Sequence, residues 1–220
     1  MTAHRKAARS GVHCNTRADG GGVAKSRATG SCSPWHDAGE VVLDVVYRPL
    51  AAEDLARIGE IDRSERIDTL YVQHGPRLEE THGDWSAPAW FGEGEGEHSV
   101  AHQRTECERY LAAGGIALGA FTEGRLIGIG IVVPHLRPGV AQLAFLHVSH
   151  GHRARGVGGH LSEELERLAR EQGDTRIVVS ATPSLNTVRF YRRRGFEPMA
   201  EPLPELYQLE PEDVHMEKRL

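Results

Sequence analysis

Between Leu146 and His160 the chain reads Leu-His-Val-Ser-His-Gly-His-Arg-Ala-Arg-Gly-Val-Gly-Gly-His. A strand-like end runs into a loop with Arg153 and Arg155, and Gly156, Gly158 and Gly159 then open an amphipathic segment. The first turn of a helix carries backbone N–H groups without internal partners, and its dipole adds about 0.3–1 kcal/mol for an anion placed there. Glycines remove the Cβ atoms that would hold a phosphate away from those amides. Arg153 and Arg155 are expected to add charge-assisted contacts to phosphate oxygens. The chemistry is that of a diphosphate cradle; the competing reading is a helix start made glycine-rich for tight packing. Two other cradles do not fit. There is no G-x-x-x-x-G-K-[ST], and Gly156-Val157-Gly158-Gly159-His160-Leu161 has leucine where a dinucleotide fingerprint needs its last glycine.

The elements that must position this turn follow from periodicity. Val140 to Val148 predicts a strand before it, after a turn at Pro138-Gly139. Val157 to Gln172 predicts a helix with Leu161, Leu165 and Leu168 on one face, stopped by Gly173. Upstream, Ile116–Phe121 and Leu126–Val133 form a hairpin around Thr122-Glu123-Gly124-Arg125. Downstream, Arg176–Ala181 is a buried-type strand, Ser184–Arg194 a short helix closed by Gly195, and Phe196–Met199 and Val214–Arg219 two last strands. Nearer the start, Val41–Tyr47 predicts a strand ended by Pro49, and Ala51–Ile61 a helix through Leu55, Ile58 and Ile61. In the stretch 62–99, Asp68–Gln73 and Arg77–His82 pair around Gly75-Pro76, and Gly92–Glu97 is a loop. Ser99–Ala113 predicts a helix stopped by Gly114-Gly115. The fold class is α/β: a mixed sheet with helices on both faces.

Composition bounds the rest. The 220 residues suit one domain, and a net charge of −5 argues against a nucleic-acid binder. No stretch approaches the roughly 18 apolar residues of a membrane span, and the start lacks a secretory core. Cys14, Cys32 and Cys107 form neither a disulfide framework nor a zinc pattern, so a reducing, cytoplasmic setting is expected. Residues 1–39 are rich in Gly, Ser, Ala and Arg and are expected to form a disordered tail. Their basic, acid-poor character also fits a transit peptide or a mis-set start. His147, His150, His152 and His160 cluster without matching a zinc spacing, so no metal site is expected.

Two motifs together carry a family resemblance. Arg153-Ala154-Arg155-Gly156-Val157-Gly158 matches the [RQ]-x-x-G-x-[GA] signature of the GNAT (GCN5-related) N-acetyltransferases, preceded by Leu146-His147-Val148 as that family's Leu-x-Val strand end. Phe190-Tyr191-Arg192-Arg193-Arg194-Gly195-Phe196 resembles its F-Y-x-x-x-G-F, and Val214–Leu220 its closing strand. The resemblance spans about Val42 to Leu220, loosely over 62–99, and implies a GNAT-type, mostly antiparallel sheet over 40–220.

It also implies acetyl-CoA as co-substrate and acetyl transfer to a primary amine by direct attack. Leu146, His147 and Val148 would pair with the pantetheine arm, with an N–H near Val148 polarising the thioester carbonyl. Arg153, Ala154, Arg155, Gly156, Val157 and Gly158 would hold the pyrophosphate, with Gly159 close by. Tyr191 would be the acid that protonates the departing thiolate, or a packed aromatic beside Phe190. Asn186 would touch the pantetheine arm or cap its helix with Ser184. The strand positions where the family often carries a base hold Gln142 and Ala144. Asp62, Glu65, His135 and ordered water therefore remain open for proton removal, and His147 reads more simply as a satisfied strand histidine. Trp85, Trp90 and Phe91 are either an acceptor wall or a satellite core.

The acceptor is expected to be a small molecule, with 62–99 as an acceptor-side insert covering the site. A protein lysine or N-terminus, or a regulatory module that binds acyl-CoA without turnover, are the alternatives. No nucleic-acid or membrane partner is expected, and the oligomeric state stays open between monomer and homodimer.

Overall fold

The computed structural model describes residues 13–14 and 44–220, apart from 93 and 95. In chain order the strands are β1 (His13–Cys14), β2 (Val46–Pro49), β3 (Glu65–His74), β4 (Arg77–Ala87), β5 (Ile116–Thr122), β6 (Arg125–Arg137), β7 (Val140–Val148), β8 (Arg176–Ala181), β9 (Glu197–Pro198) and β10 (Val214–Arg219). The α-helices are α1 (Val100–Ala112), α2 (Val157–Glu171), α3 (Leu185–Arg192) and α4 (Pro204–Leu209). A seven-stranded sheet runs β2-β5-β6-β7-β8-β10-β9, and β3 and β4 form a hairpin that β1 joins as a third strand. In the large sheet every neighbouring pair is antiparallel except β7 and β8.

Side-chain alternation on β6 sets the two faces. Ile129 and Ile131 pack with Leu55, Ile58 and Cys107, under α1 and a 3-10 helix (Ala52–Glu60). The opposite face carries Gly128, Gly130 and Val132, and there α2 lies close. A Cβ on Gly130 would stand 2.6 Å from Leu165 Cδ1, so glycine here lets the helix seat its leucines on the sheet. Helix α3 covers the same face as α2, through Val188 and Tyr191.

Several elements differ from the sequence reading. The segment expected as an α-helix over Ala51–Ile61 is a 3-10 helix. Leu55, Ile58 and Ile61 are spaced by three, which aligns them on three residues per turn, and all are buried. Strand β2 covers Val46–Pro49, and the expected beginning at Val41 lies outside the described residues. The expected tail over 1–39 also lies outside them, save for His13–Cys14 paired with Trp85 and Ser86. Helix α4 was not anticipated, although Pro204 at its first turn is a legible start. Strand β6 continues through Pro134, where β6 and β7 shift register and no ladder N–H is needed. No helix among the described residues is long and apolar enough to cross a membrane.

The hairpin β3–β4 is longer than expected and folds back on the sheet. Tyr71 N–H donates to Pro183 O at 2.8 Å. The Gln73 amide donates to Met199 O at 2.9 Å and accepts from His215 N–H at 2.7 Å. These bonds fix the hairpin across the start of α3 and the β9–β10 edge.

Candidate active site

The site begins with a bulge. Ile131 pairs with Phe145 and Val132 with Leu143, leaving Ala144 as an extra residue on β7. A bulge bends its strand. The parallel pairing of β7 with β8 covers only Val140–Gln142 against Arg176–Val178. Beyond Gln142 the two strands part, and among the described residues the edge of β7 from Leu143 to Val148 has no ladder partner on that side. Unpaired strand edges are templates for extended hydrogen-bonding ligands. A cavity of about 1040 Å³ occupies the gap, lined by both strands, the glycine turn, α3, α1 and the loop before β10.

Ala154 (φ +59°) and Gly156 (φ +84°) both take the left-handed conformation, which turns the chain sharply into α2. Most of the residues singled out in the sequence meet in the cavity wall: Leu146, His147, Val148, Arg153, Ala154, Gly156, Gly158, Gly159, Asn186 and Tyr191. Two do not. Val157 is buried between Ala120, Ile127 and Leu161, because the first inward position of α2 is a core position. Arg155 is exposed, outside the lining.

The Arg153 side chain is also committed differently from expectation. Its guanidinium donates to Val148 O (3.1 Å) and Arg63 O (2.9 Å) and pairs with Glu65 (3.3 Å). It therefore staples the turn to β7 and to the loop before β3. A different arginine faces the glycines. A Cβ on Gly159 would stand 2.1 Å from an Arg194 terminal nitrogen, so glycine is what lets that guanidinium reach the helix start. Arg194 stacks on the Phe190 ring at 3.9 Å, and its buried Nε has no partner among the described residues. An orphaned, buried cationic donor beside free helix amides fits a phosphate. Nothing in the spacing of the Arg192–Arg194 run distinguished Arg194 from its neighbours.

Tyr191 is buried, edge-on to Phe190 (5.1 Å) and Phe196 (5.3 Å). Burial holds its phenol above the usual value; Arg194 opposes the shift and Asp213 adds to it. The hydroxyl thus stays protonated until it meets a stronger base. His147 and Phe145 point to the α1 face, with His147 edge-on to Trp90 at 4.9 Å. Burial, helped by the charges of Arg63 and Arg153, pushes His147 down to about 3, so it is neutral at physiological pH. Ser184 caps α3 by accepting from Thr187 N–H, and the Asn186 amide donates to Glu65 at 2.8 Å. Glu65 thereby bridges Asn186 and Arg153 across the cavity wall.

The other residues weighed as bases lie elsewhere. His135 is held by Asp174 at the far end of β6, and Asp62 bonds Ser64 and Ser149; neither lines the cavity. Trp90 belongs to the core under α1, Trp85 packs on Ile67 and Ala87, and none of Trp85, Trp90 and Phe91 lines the cavity. Among the described residues, no three His, Cys, Asp or Glu side chains are grouped to hold a metal ion.

Charges of both signs line the cavity. Arg63, Arg153, Arg189, Arg193 and Arg194 line it together with the glycine turn and Glu65, while Glu97, Glu106, Glu210, Glu212 and Asp213 come, with Arg109, from α1, the loop before it and the α4–β10 loop. The sequence reading missed these acids. The run Glu210-Pro-Glu-Asp213 directly before the buried strand Val214–Met216 was the available signal. Desolvation raises both the Asp213 and Glu210 carboxyls; Glu210 and Glu212 push Asp213 further, and Glu106 pushes Glu210.

The acetyltransferase (GNAT) family model matches residues 80–196, more than half of the chain. Among solved structures, a nourseothricin acetyltransferase aligns with a TM-score of 0.60 at 19% identity, covering 80% of this chain and 98% of that one. A protein assigned as a streptothricin acetyltransferase from Bacillus anthracis str. Ames, in complex with acetyl coenzyme A, aligns at 0.56 and 19% identity, covering 81% and 97%. The PaiA N-acetyltransferase from Thermoplasma acidophilum, in complex with coenzyme A, aligns at 0.54 and 18%, covering 81% and 100%. Among curated proteins none matches the sequence.

Proposed function

Because the chain belongs to the GNAT family of acetyltransferases, we propose that it moves an acetyl group from acetyl-CoA to a primary amine of a small molecule. The observation that carries this reading is the parting of β7 from β8 after Gln142, beside a glycine turn whose amides and Arg194 suit a diphosphate. Bound acetyl-CoA would supply an activated acyl group on a sulfur leaving group. The β7 edge at Leu146–Val148 pairs with the pantetheine amides, and the Ala154–Gly159 turn with Arg194 binds the phosphates. Arg153 acts on the turn rather than on the ligand. An N–H on the same edge polarises the thioester carbonyl, and Tyr191 gives its proton to the departing thiolate.

Two features support a small acceptor. The hairpin β3–β4 is pinned over the sheet, and its residues Glu65, Ile67 and Ala87 wall the cavity. Two of the similar structures take their names from small antibiotics, nourseothricin and streptothricin.

The test is thiol release from acetyl-CoA in the presence of small amines or of lysine and N-terminal peptides. The reading expects release with at least one small amine and none above background with peptides. The Gly158→Asp protein, which sets a carboxylate against the phosphates, should lose both release and acetyl-CoA binding while staying folded. Faster release with peptides, or full binding in that variant, would overturn the reading.

A further inference from the structure

Asp213 is the buried carboxylate that the proposed reaction has not yet used. Its residue is 9% exposed, and it lines the cavity. Taking a carboxylate out of water is costly unless a partner in the cavity meets it. It stands one residue before Val214, which pairs with Ala181 at the end of β8, so it sits at the rim of the gap between β7 and β8. Tyr191 of α3 lines the same cavity, and the Asp213 charge adds to the rise of its phenol. Glu210, three residues earlier, interacts with Glu106, Arg109 and Tyr110 of α1, on the other face of the sheet. Both carboxylates line the cavity together with Glu106, Arg109 and Tyr110 of α1, and the phosphate-binding turn lines it as well.

We propose that Asp213 is the proton acceptor for a cationic amine substrate, which Glu210 helps draw in from the α1 face. The proposal rests on the acetyl-transfer reading above and names its missing base and the charge of its acceptor. An amine at neutral pH arrives as an ammonium ion. Asp213 takes one proton and frees the nitrogen lone pair. That pair forms the N–C bond to the thioester carbonyl carbon, the C–S bond breaks with its electrons on sulfur, and the Tyr191 proton neutralises the thiolate. The second ammonium proton is lost from nitrogen to water as the amide forms, and Tyr191 is reprotonated from solvent.

Gln142 and Ala144, on β7, cannot perform the first step, and His147, pushed down to about 3 by burial and the charges of Arg63 and Arg153, is too weak a base for it. The charged and titratable groups around Asp213 are Glu210 and Glu212 of its own loop, Tyr191 of α3, Arg194 just after α3 and His215 of β10, while Glu106, Arg109 and Tyr110 of α1 stand around Glu210. Their balance is acidic. Each desolvated carboxyl there lifts its neighbours, which moves a carboxylate towards the range of a base working near neutral pH.

The experiment uses the full chain and its Asp213→Asn and Glu210→Gln variants, with acetyl-CoA and three probes: streptothricin, spermidine and n-butylamine. Calorimetry first measures acetyl-CoA binding. A parent protein that does not bind it refutes the acetyl-transfer reading itself. With binding intact in all three proteins, the parent should acetylate at least one probe. Asp213→Asn should lower kcat about 100-fold at pH 7 and abolish the acid limb of the kcat–pH profile. Glu210→Gln should mainly raise KM for the cationic probe and leave that limb in place. Equal kcat in parent and Asp213→Asn, a retained acid limb in Asp213→Asn, or no acetylation of any probe by a parent that binds acetyl-CoA would overturn the proposal.

Discussion

Gly159→Ala separates the two roles a glycine can play at a helix start. The added Cβ would fall 2.1 Å from an Arg194 terminal nitrogen, an overlap no real contact tolerates. The obstructing atom is the far end of a flexible side chain, so the guanidinium moves and the backbone stays. Alanine in a helix gains up to about 0.8–1 kcal/mol over glycine. Displacing Arg194 from the Phe190 ring, now 3.9 Å away, loses about 0.5–1 kcal/mol. The two nearly cancel, and at roughly 2–4 °C per kcal/mol the melting temperature should move by no more than about 3 °C. Affinity should not cancel. Losing a charge-assisted bond to phosphate costs about 1.5–3 kcal/mol, roughly 10- to 150-fold in Kd. Titration calorimetry with coenzyme A reads the affinity and scanning calorimetry the stability. Because both changes act on one contact, Gly159→Ala with Arg194→Gln should bind no more weakly than Arg194→Gln alone. Unchanged affinity in a Gly159→Ala protein of parental stability would refute the assignment of Arg194 to the phosphates.

Tyr191→Phe keeps the packing against Phe190 and Phe196 and removes one oxygen, so kcat should fall about 100-fold with the Kd for acetyl-CoA unchanged, by single-turnover kinetics and calorimetry. Asp213 has its folded-state carboxyl raised above the unfolded value of about 4, so the folded state binds the extra proton and loses stability as pH rises through the folded value. Asp213→Asn cannot ionise; it should therefore melt above the parent at pH 8 and level with it near pH 3, as scanning calorimetry at the two pH values will show. Glu166 is buried and accepts from Lys218 at 2.7 Å and Ser162 at 3.2 Å. Removing it in Glu166→Ala should cost about 2–3 kcal/mol in urea unfolding, less than the ~3–5 of a fully buried pair because the Lys218 side chain keeps 23% of its exposure.

What the sequence revealed tracks how local each signal is. The α2 and β7 periodicities, the turn glycines and the Phe190–Phe196 motif are contiguous, and each element stands where its pattern puts it. The three-residue spacing of Leu55, Ile58 and Ile61 was visible too, but it fits a 3-10 helix better than the α-helix expected. Side-chain partners were not legible. Arg153 is claimed by Val148 and Arg63 carbonyls and by Glu65, the latter two some 90 residues away in sequence. The bulge at Ala144 depends on which β6 residues face β7, and no residue type in that strand announces it. The acids of the α4–β10 loop gain meaning only when β10 is laid beside β8, which brings Asp213 to the gap.

The central claim is that the parted edge of β7 holds the acyl donor with its sulfur beside Tyr191. A crystal structure of the full chain with acetyl-CoA tests it most directly. The account predicts pantetheine amides paired with the backbone of Leu146–Val148, phosphates on the Ala154–Gly159 amides and Arg194, and the thioester sulfur within about 3.5 Å of the Tyr191 hydroxyl. Acetyl-CoA bound away from the gap between β7 and β8, or with its sulfur remote from Tyr191, would contradict it.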